Sequence, residues 1–335
     1  MKETTEAASP KKSLLNTLIK VVLPLALGVI ILYFLFKDID FKDVWGILKD
    51  ANWGILLFSL IFGLLGNTIR GYRWALFINP LGYSPKVSTL NYAIFGGYAV
   101  NFALPRAGEI WRCGVLAKEE DIPFTKLFGT MILDRIFDTI TVLCIALIAF
   151  LFNMQFFMTQ LEQRQEAFDS ILGILQSPVF YIAIGAAIIT TFIVFKYFKE
   201  NFIIRKIKGF LAGMVSDMKS IWKMKTKGRL FLYTISIWGS YFLYFYITFF
   251  AFDFTKDLGV TAGLIAFALS SISMGVPSNG GLGPWQIAVI AALSLHPVSA
   301  LEAKAFAVGV FALQSVWVIV CGLFGMAMLA MKKQK

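Results

Sequence analysis

Charge is scarce in this chain: Asp, Glu, Lys and Arg make up 15% of 335 residues, while 58% are hydrophobic. A water-soluble fold of this length would carry more charge. Histidine occurs once, at His296, which disfavours histidine-based metal or acid–base chemistry. The three cysteines, Cys113, Cys144 and Cys321, show no paired spacing and two lie in apolar runs, so neither a disulfide framework nor a zinc site is indicated. The one glycine-rich stretch has no Gly-Lys-Ser/Thr after it and no strand before it, which argues against a nucleotide loop. No stretch is long enough for a soluble catalytic domain.

What the chain has instead is apolar length. Mean hydropathy is +0.73, and several runs reach the roughly 20 residues needed to cross a bilayer. The expected fold is an all-α polytopic membrane protein built as a single membrane domain over residues 1–335. Six full spans are predicted, at about Ile19 to Phe36, Trp53 to Ile78, Phe128 to Phe152, Val179 to Phe195, Leu230 to Phe252 and Phe306 to Ala330. The first follows Lys11, Lys12 and Lys20 and has no small-residue cleavage site, so it reads as an uncleaved span. The net charge of +11 flanks these runs and is explained by orientation and anionic lipid, without nucleic acid.

Two segments, 87–126 and 260–297, are apolar yet broken by proline, glycine and polar residues. The second limb of the first carries Glu109, Arg112, Lys118, Glu119, Glu120 and Asp121 and cannot span. Cytoplasmic loops hold the excess of Lys and Arg. With a cytoplasmic N-terminus and a re-entrant first segment, 24 of the 31 cations lie inside; with a crossing first segment and an external N-terminus, 20 do. The re-entrant arrangement is favoured. It places both termini in the cytoplasm, with residues 1–16 as a tail, and divides the chain into a first half, 17–152, and a second half, 178–330. Each half holds one hairpin, and the hairpins enter from opposite faces, as in inverted-topology repeats. Residues 196–229 form a basic loop, read as an amphipathic helix on the inner leaflet or as an orientation signal alone.

The breaks carry the candidate site. Arg106, Glu109 and Arg112 share one face if the limb after Pro105 is helical, and Pro105 suits the first helical position. A helix start joined to two guanidiniums is an anion site suited to phosphate. The bland reading is a salt bridge anchoring the hairpin at the headgroup layer. Asp134, Arg135 and Asp138 lie inside a span and must find partners there. They fit a coupling site, a proton relay, or an internal clamp of either aspartate to Arg106 or Arg112. In the second break Gly280, Gly281 and Gly283 permit a tight turn and close approach to a ligand, and Asn279 and Gln286 offer neutral hydrogen bonds. Arg70 and Arg73, at the end of the second span, are expected to snorkel to lipid phosphates.

In combination, Arg73-Trp74, Asn101 to Pro105 to Glu109 with Arg112, Asp134-Arg135 and Gly280-Gly281-Leu282-Gly283 resemble the lysylphosphatidylglycerol synthase transmembrane-region family, the flippase-like domain. The resemblance runs from about Leu15 to Ala330 and covers the membrane domain only. It implies movement of a modified lipid between leaflets, with the lipid made by a separate soluble domain. Gln286 stands where the family commonly has an acidic residue, which puts any coupling role of that position in doubt.

The expected function is binding or flipping of an anionic phospholipid or lipid-linked headgroup in a bacterial-type cytoplasmic membrane. Arg106, Arg112, Asn101, Gly280, Gly281 and Gly283 would border the headgroup. Glu109, Asp134, Arg135 and Asp138 would balance or couple charge, and Asn279 and Gln286 would add polar contacts. No catalytic residue, metal or cofactor is expected, and homo-oligomerisation is open. The alternatives are an integral-membrane enzyme modifying a polyprenyl- or glycan-linked lipid, and an accessory scaffold.

Overall fold

Among the described residues, four helices are long and apolar enough to cross a bilayer, and the order of elements falls into two similar runs. The structure, a computed structural model, describes residues 41–155 and 226–332 with positions 158–159, 177–178, 181–182 and 185 between them. An amphipathic helix, α1 (Phe41–Asp50), precedes the long α2 (Trp53–Ile78). A helical hairpin follows, α3 (Val87–Ala103) and α4 (Ala107–Glu119), and then the long α5 (Phe124–Phe152). The second run repeats the order with α6 (Lys227–Tyr246, continued by a 3-10 turn to Ala251), a hairpin of α7 (Gly259–Ser273) and α8 (Pro284–Leu293), and α9 (Ala300–Lys332). No strand occurs among the described residues.

The hairpin helices have 17, 13, 15 and 10 residues. None reaches the roughly 20 residues that a crossing needs. Four of the six predicted spans coincide with α2, α5, α6 and α9, and each of the two broken segments is a pair of short helices. The predicted span Ile19 to Phe36, most of the predicted span Val179 to Phe195, the tail 1–16 and almost all of the basic loop lie outside the described residues. Lys227 to Arg229, assigned to that loop, instead form the first turn of α6.

Residues up to Ala149 and from Thr226 form one unit, and Phe150 to Lys225 a second. Within the first, small residues bring the helices close, as is usual where lipid removes the hydrophobic drive between helices. A Cβ on Gly108 would strike the carbonyl of Gly97, so α3 and α4 touch backbone to backbone. On the other side of α3, Gly322 of α9 lies against Ala99 and the Phe95 carbonyl, and Gly325 lies against the Tyr92 carbonyl. The second hairpin rests on an aromatic core of Phe245, Phe249, Phe252, Phe267, Trp285 and Phe306. Phe249 meets Phe306 edge-on with ring centres 5.3 Å apart, a geometry that adds to the dispersion gained by burial.

The outer surface is apolar, with Ile140, Leu143 and Leu147 exposed along one side of α5. That stripe faces away from Asp134 and Asp138, which are buried on the same helix. A helix that hides its charges and shows its leucines is one whose surroundings are lipid. Polarity is concentrated inside.

Candidate functional site

Arg70 and Arg73, three residues apart on α2, meet Asp134 and Asp138, four residues apart on α5. Arg70 Nη1 donates to Asp134 Oδ2 at 3.0 Å and to Asp138 Oδ2 at 2.5 Å. Arg73 donates through Nε to Asp134 Oδ1 at 2.9 Å and through Nη2 to Asp134 Oδ1 at 2.5 Å and Asp138 Oδ1 at 2.7 Å. All four side chains are buried, Arg73 and Asp134 completely. Two cations against two anions give a locally neutral clamp, and its many hydrogen bonds offset the large cost of removing the charges from water. The expectation that Arg70 and Arg73 snorkel is thus corrected: both point inward because two aspartates on a neighbouring helix face them.

The clamp reaches further helices through neutral groups. Tyr241 of α6 accepts from Arg70 Nε at 3.3 Å and donates to Asn67 Oδ1 at 2.7 Å. Trp74, fully buried, donates from its indole N–H to Thr130 Oγ1 at 3.0 Å. Its ring lies under the Arg112 guanidinium, with Cζ 4.6 Å from the ring centre.

Arg112 closes one side of the clamp without completing it. Its Nη2 stands 3.7 Å from Asp134 Oδ2, within ion-pair range, but Nε and Nη2 form no hydrogen bond with any described residue. Arg135 Nε is 3.9 Å from Glu109 Oε1, and Arg135 Nη1 is 3.7 Å from Asp138 Oδ2. Arg135 Nε and Glu109 Oε2 likewise have no hydrogen-bond partner although both are buried. Arg135 is the most open member, its side chain 32% exposed against 14% for Glu109 and 3% for Arg112. Among the described residues, the cluster sets four guanidiniums, of Arg70, Arg73, Arg112 and Arg135, against three carboxylates, of Asp134, Asp138 and Glu109. One positive charge is in excess.

Arg106 is not part of this cluster. It occupies the position before α4 with a left-handed φ of 61°, a conformation that costs a non-glycine residue about 1 kcal/mol or more. Because it precedes the helix, the three-residue spacing does not carry it onto the face of Glu109 and Arg112. Pro105 is displaced in the same way, lying two residues before the first helical residue, Ala107. The predicted clamp partners of the aspartates were Arg106 and Arg112; the structure supplies Arg70 and Arg73, with Arg112 at longer range.

Arg106 joins the two breaks instead. Its Nη2 donates to the Gly275 carbonyl at 2.6 Å. Asn279 Nδ2 returns the contact, donating to the Phe102 carbonyl at 2.9 Å and the Ala103 carbonyl at 3.4 Å. Gly280, at φ +62°, lies so close to the Phe102 ring that a Cβ would collide with it. Each tip also caps its own second helix. Asn101 Oδ1 accepts from the Gly108 N–H at 2.8 Å, and Gln286 Oε1 accepts from the Gly283 N–H at 2.8 Å. Gly281 and Gly283 adopt φ of +95° and +93°, open to glycine alone at low cost. Gln286 is buried with its oxygen engaged. The predicted site residues therefore form two groups, the charged cluster of Glu109, Arg112, Asp134, Arg135 and Asp138, and the hairpin junction of Asn101, Arg106, Asn279, Gly280, Gly281, Gly283 and Gln286.

The model of the lysylphosphatidylglycerol synthase TM region matches residues 21–322, a range that holds both groups. The chain belongs to this family. Among curated relatives of this family member, glycosyltransferase AglD of Haloferax volcanii is 24% identical, over 92% of this chain and 54% of that protein. This chain thus spans about half of AglD. UPF0104 membrane protein PH1989 of Pyrococcus horikoshii is 26% identical over 79% of this chain and 84% of its own length. UPF0104 membrane protein MJ1595 of Methanocaldococcus jannaschii is 29% identical over 28% of this chain and 29% of that protein. No solved structure matches.

In this member of the lysylphosphatidylglycerol synthase TM region family, the cluster's unbonded groups are chiefly guanidinium donors. Among the described residues no group of three His, Cys, Asp or Glu side chains is placed to hold a metal ion. The buried atoms of the cluster that lack a hydrogen bond are three guanidinium nitrogens and one carboxylate oxygen. Fixed donors of that kind suit phosphate or carboxylate oxygens.

Proposed function

We propose that this membrane domain binds an anionic phospholipid or lipid-linked headgroup at the Arg112 and Arg135 side of the cluster and passes it between leaflets. The observation that carries the reading is Arg112, 2% exposed, with two guanidinium nitrogens unbonded inside a cluster that has an excess of positive charge. Ionisable groups held at such depth mark a substrate or ion path. In this reading the clamp of Arg70, Arg73, Asp134 and Asp138 fixes the geometry, Glu109 tunes the charge, and the hairpin junction separates the two sides. The protein moves its substrate without changing it chemically. The hairpins enter from opposite faces of the cytoplasmic membrane, with both termini in the cytoplasm.

The decisive experiment is reconstitution in vesicles with fluorescent lipids of several headgroups. Faster exchange of anionic lipids than of zwitterionic ones, abolished by Arg112→Gln, is expected; lipids that stay in their starting leaflet would overturn the reading. Orientation is tested by single cysteines at Lys118 and Ser278. Labelling of the first from the cytoplasm and the second from outside is expected, and Lys118 labelled from outside would remove the two-sided hairpins.

One observation favours a second reading, chemistry on a glycan-linked lipid: AglD is named a glycosyltransferase. The match covers about half of that protein, so the transferase function can reside elsewhere in it. A deletion strain that accumulates a chemically altered lipid would favour this reading over translocation.

A further inference from the structure

The charge imbalance of the cluster specifies more than an anion. We infer that the site is matched to a headgroup whose buried phosphate carries a single negative charge, a phosphodiester, and that Glu109 is the residue that sets this preference. The inference rests on the proposed binding of a lipid headgroup beside Arg112.

Among the described residues, four guanidiniums face three carboxylates, and every one of these groups except Arg135 is at least mostly buried. At such depth charge is poorly screened, so the occupant that restores neutrality binds best and each further charge is penalised. One excess positive charge calls for one negative charge. A phosphomonoester or diphosphate brings about two or more at neutral pH and would leave the cluster negative.

The geometry agrees with the count. Nε and Nη2 of Arg112 share one edge of the guanidinium, and it is these two atoms that lack hydrogen bonds. That edge presents two parallel N–H vectors, the fork that meets two oxygens of one phosphate. A phosphodiester has two non-bridging oxygens and fills the fork. Trp74, its ring centre 4.6 Å from Arg112 Cζ, supports the guanidinium without using either of those nitrogens.

Glu109 can set the preference because it is the carboxylate least committed to the clamp. Asp134 and Asp138 each bond to both Arg70 and Arg73. Glu109 only approaches Arg135, at 3.9 Å, and its Oε2 has no hydrogen-bond partner. Replacing it by glutamine removes a charge, keeps the shape, and leaves the clamp intact.

The test compares leaflet exchange of fluorescent phosphatidylglycerol, phosphatidic acid and a polyprenyl diphosphate in vesicles holding wild type, Glu109→Gln, Glu109→Asp or Arg135→Gln. Wild type and Glu109→Asp should favour phosphatidylglycerol. In Glu109→Gln the ratio of phosphatidic acid to phosphatidylglycerol exchange should rise by about tenfold or more, as one unscreened charge allows. Arg135→Gln should move the ratio the opposite way. If Glu109→Gln does not fold, the Arg135→Gln ratio decides. An unchanged ratio in the folded variants, or wild type favouring the more highly charged lipids, overturns the inference and leaves headgroup binding standing. If wild type moves none of the three, both fall.

Discussion

The guanidinium carbon of Arg112 sits 4.6 Å from the centre of the Trp74 ring, and the indole N–H of that ring donates to Thr130 Oγ1 at 3.0 Å. An arginine central to the proposed site is therefore held by a tryptophan on α2, which is in turn fixed by a threonine on α5. Trp74→Phe should keep a platform for the cation and lose the hydrogen bond, whereas Trp74→Leu should lose both. Stacking on a desolvated ring is worth about 0.5–2 kcal/mol, and loss of the Trp74 hydrogen bond adds about 1 kcal/mol. Chemical unfolding in detergent should rank wild type above Phe and Phe above Leu. Headgroup affinity should follow the same order.

Removing one member of the buried clamp should cost more than removing two. Asp134→Asn leaves Arg73 without its carboxylate and raises the cluster's excess positive charge from one to two, for which about 3–5 kcal/mol of destabilisation is expected. Adding Arg73→Gln returns the excess to one and should recover a substantial part of that loss. A double-mutant cycle measures the coupling, and additive losses would show that the two groups act independently.

Two glycines on one helix should respond oppositely to alanine. At Gly108 the new methyl group would meet the Gly97 carbonyl and force α3 and α4 apart. At Gly114 nothing lies within 4 Å. Gly114→Ala should stabilise α4 by about 0.5–1 kcal/mol, the usual helix gain, while Gly108→Ala should lower the yield of folded protein and its unfolding midpoint.

Asn279→Ala should loosen the contact between the breaks. It strips the hydrogen bonds from the Phe102 and Ala103 carbonyls, which are only partly buried, at about 0.5–1.5 kcal/mol for a net hydrogen bond. Amide exchange at Leu104 and Ala107, next to those carbonyls, should accelerate. Exchange at the aromatic core around Phe249 and Phe306 should stay as in wild type.

The four long helices and the two broken segments were legible because each leaves a one-dimensional mark. An apolar run of sufficient length, or one cut short by Pro105 or by Gly280 to Gly283, needs no knowledge of its neighbours. Partner choice left no such mark. Arg70 and Arg73 lie near one end of α2, where snorkelling is the default for a cation whose surroundings are unknown, and only the placement of α5 alongside makes Asp134 and Asp138 their partners. The spacings, three on one helix and four on the other, were the available clue. Tyr241 gave none, since a tyrosine in an apolar run looks alike whether it meets a guanidinium or lipid. Arg106 was misplaced because helical spacing was extended one residue beyond where the helix begins.

The hairpin tips divide their hydrogen bonds unevenly. Each satisfies the N–H end of its second helix by its own side chain, through Asn101 or Gln286, but the carbonyls at the end of its first helix are met by the other hairpin, through Asn279 and Arg106. Neither tip is complete alone. In the proposed re-entrant arrangement, drawing them apart would bare main-chain carbonyls that hydrocarbon cannot solvate, so the junction would part only as fast as water arrives to take the vacated bonds. Opening of this contact is thereby a wetting event, and its rate should depend on the activity of water as well as on the lipid.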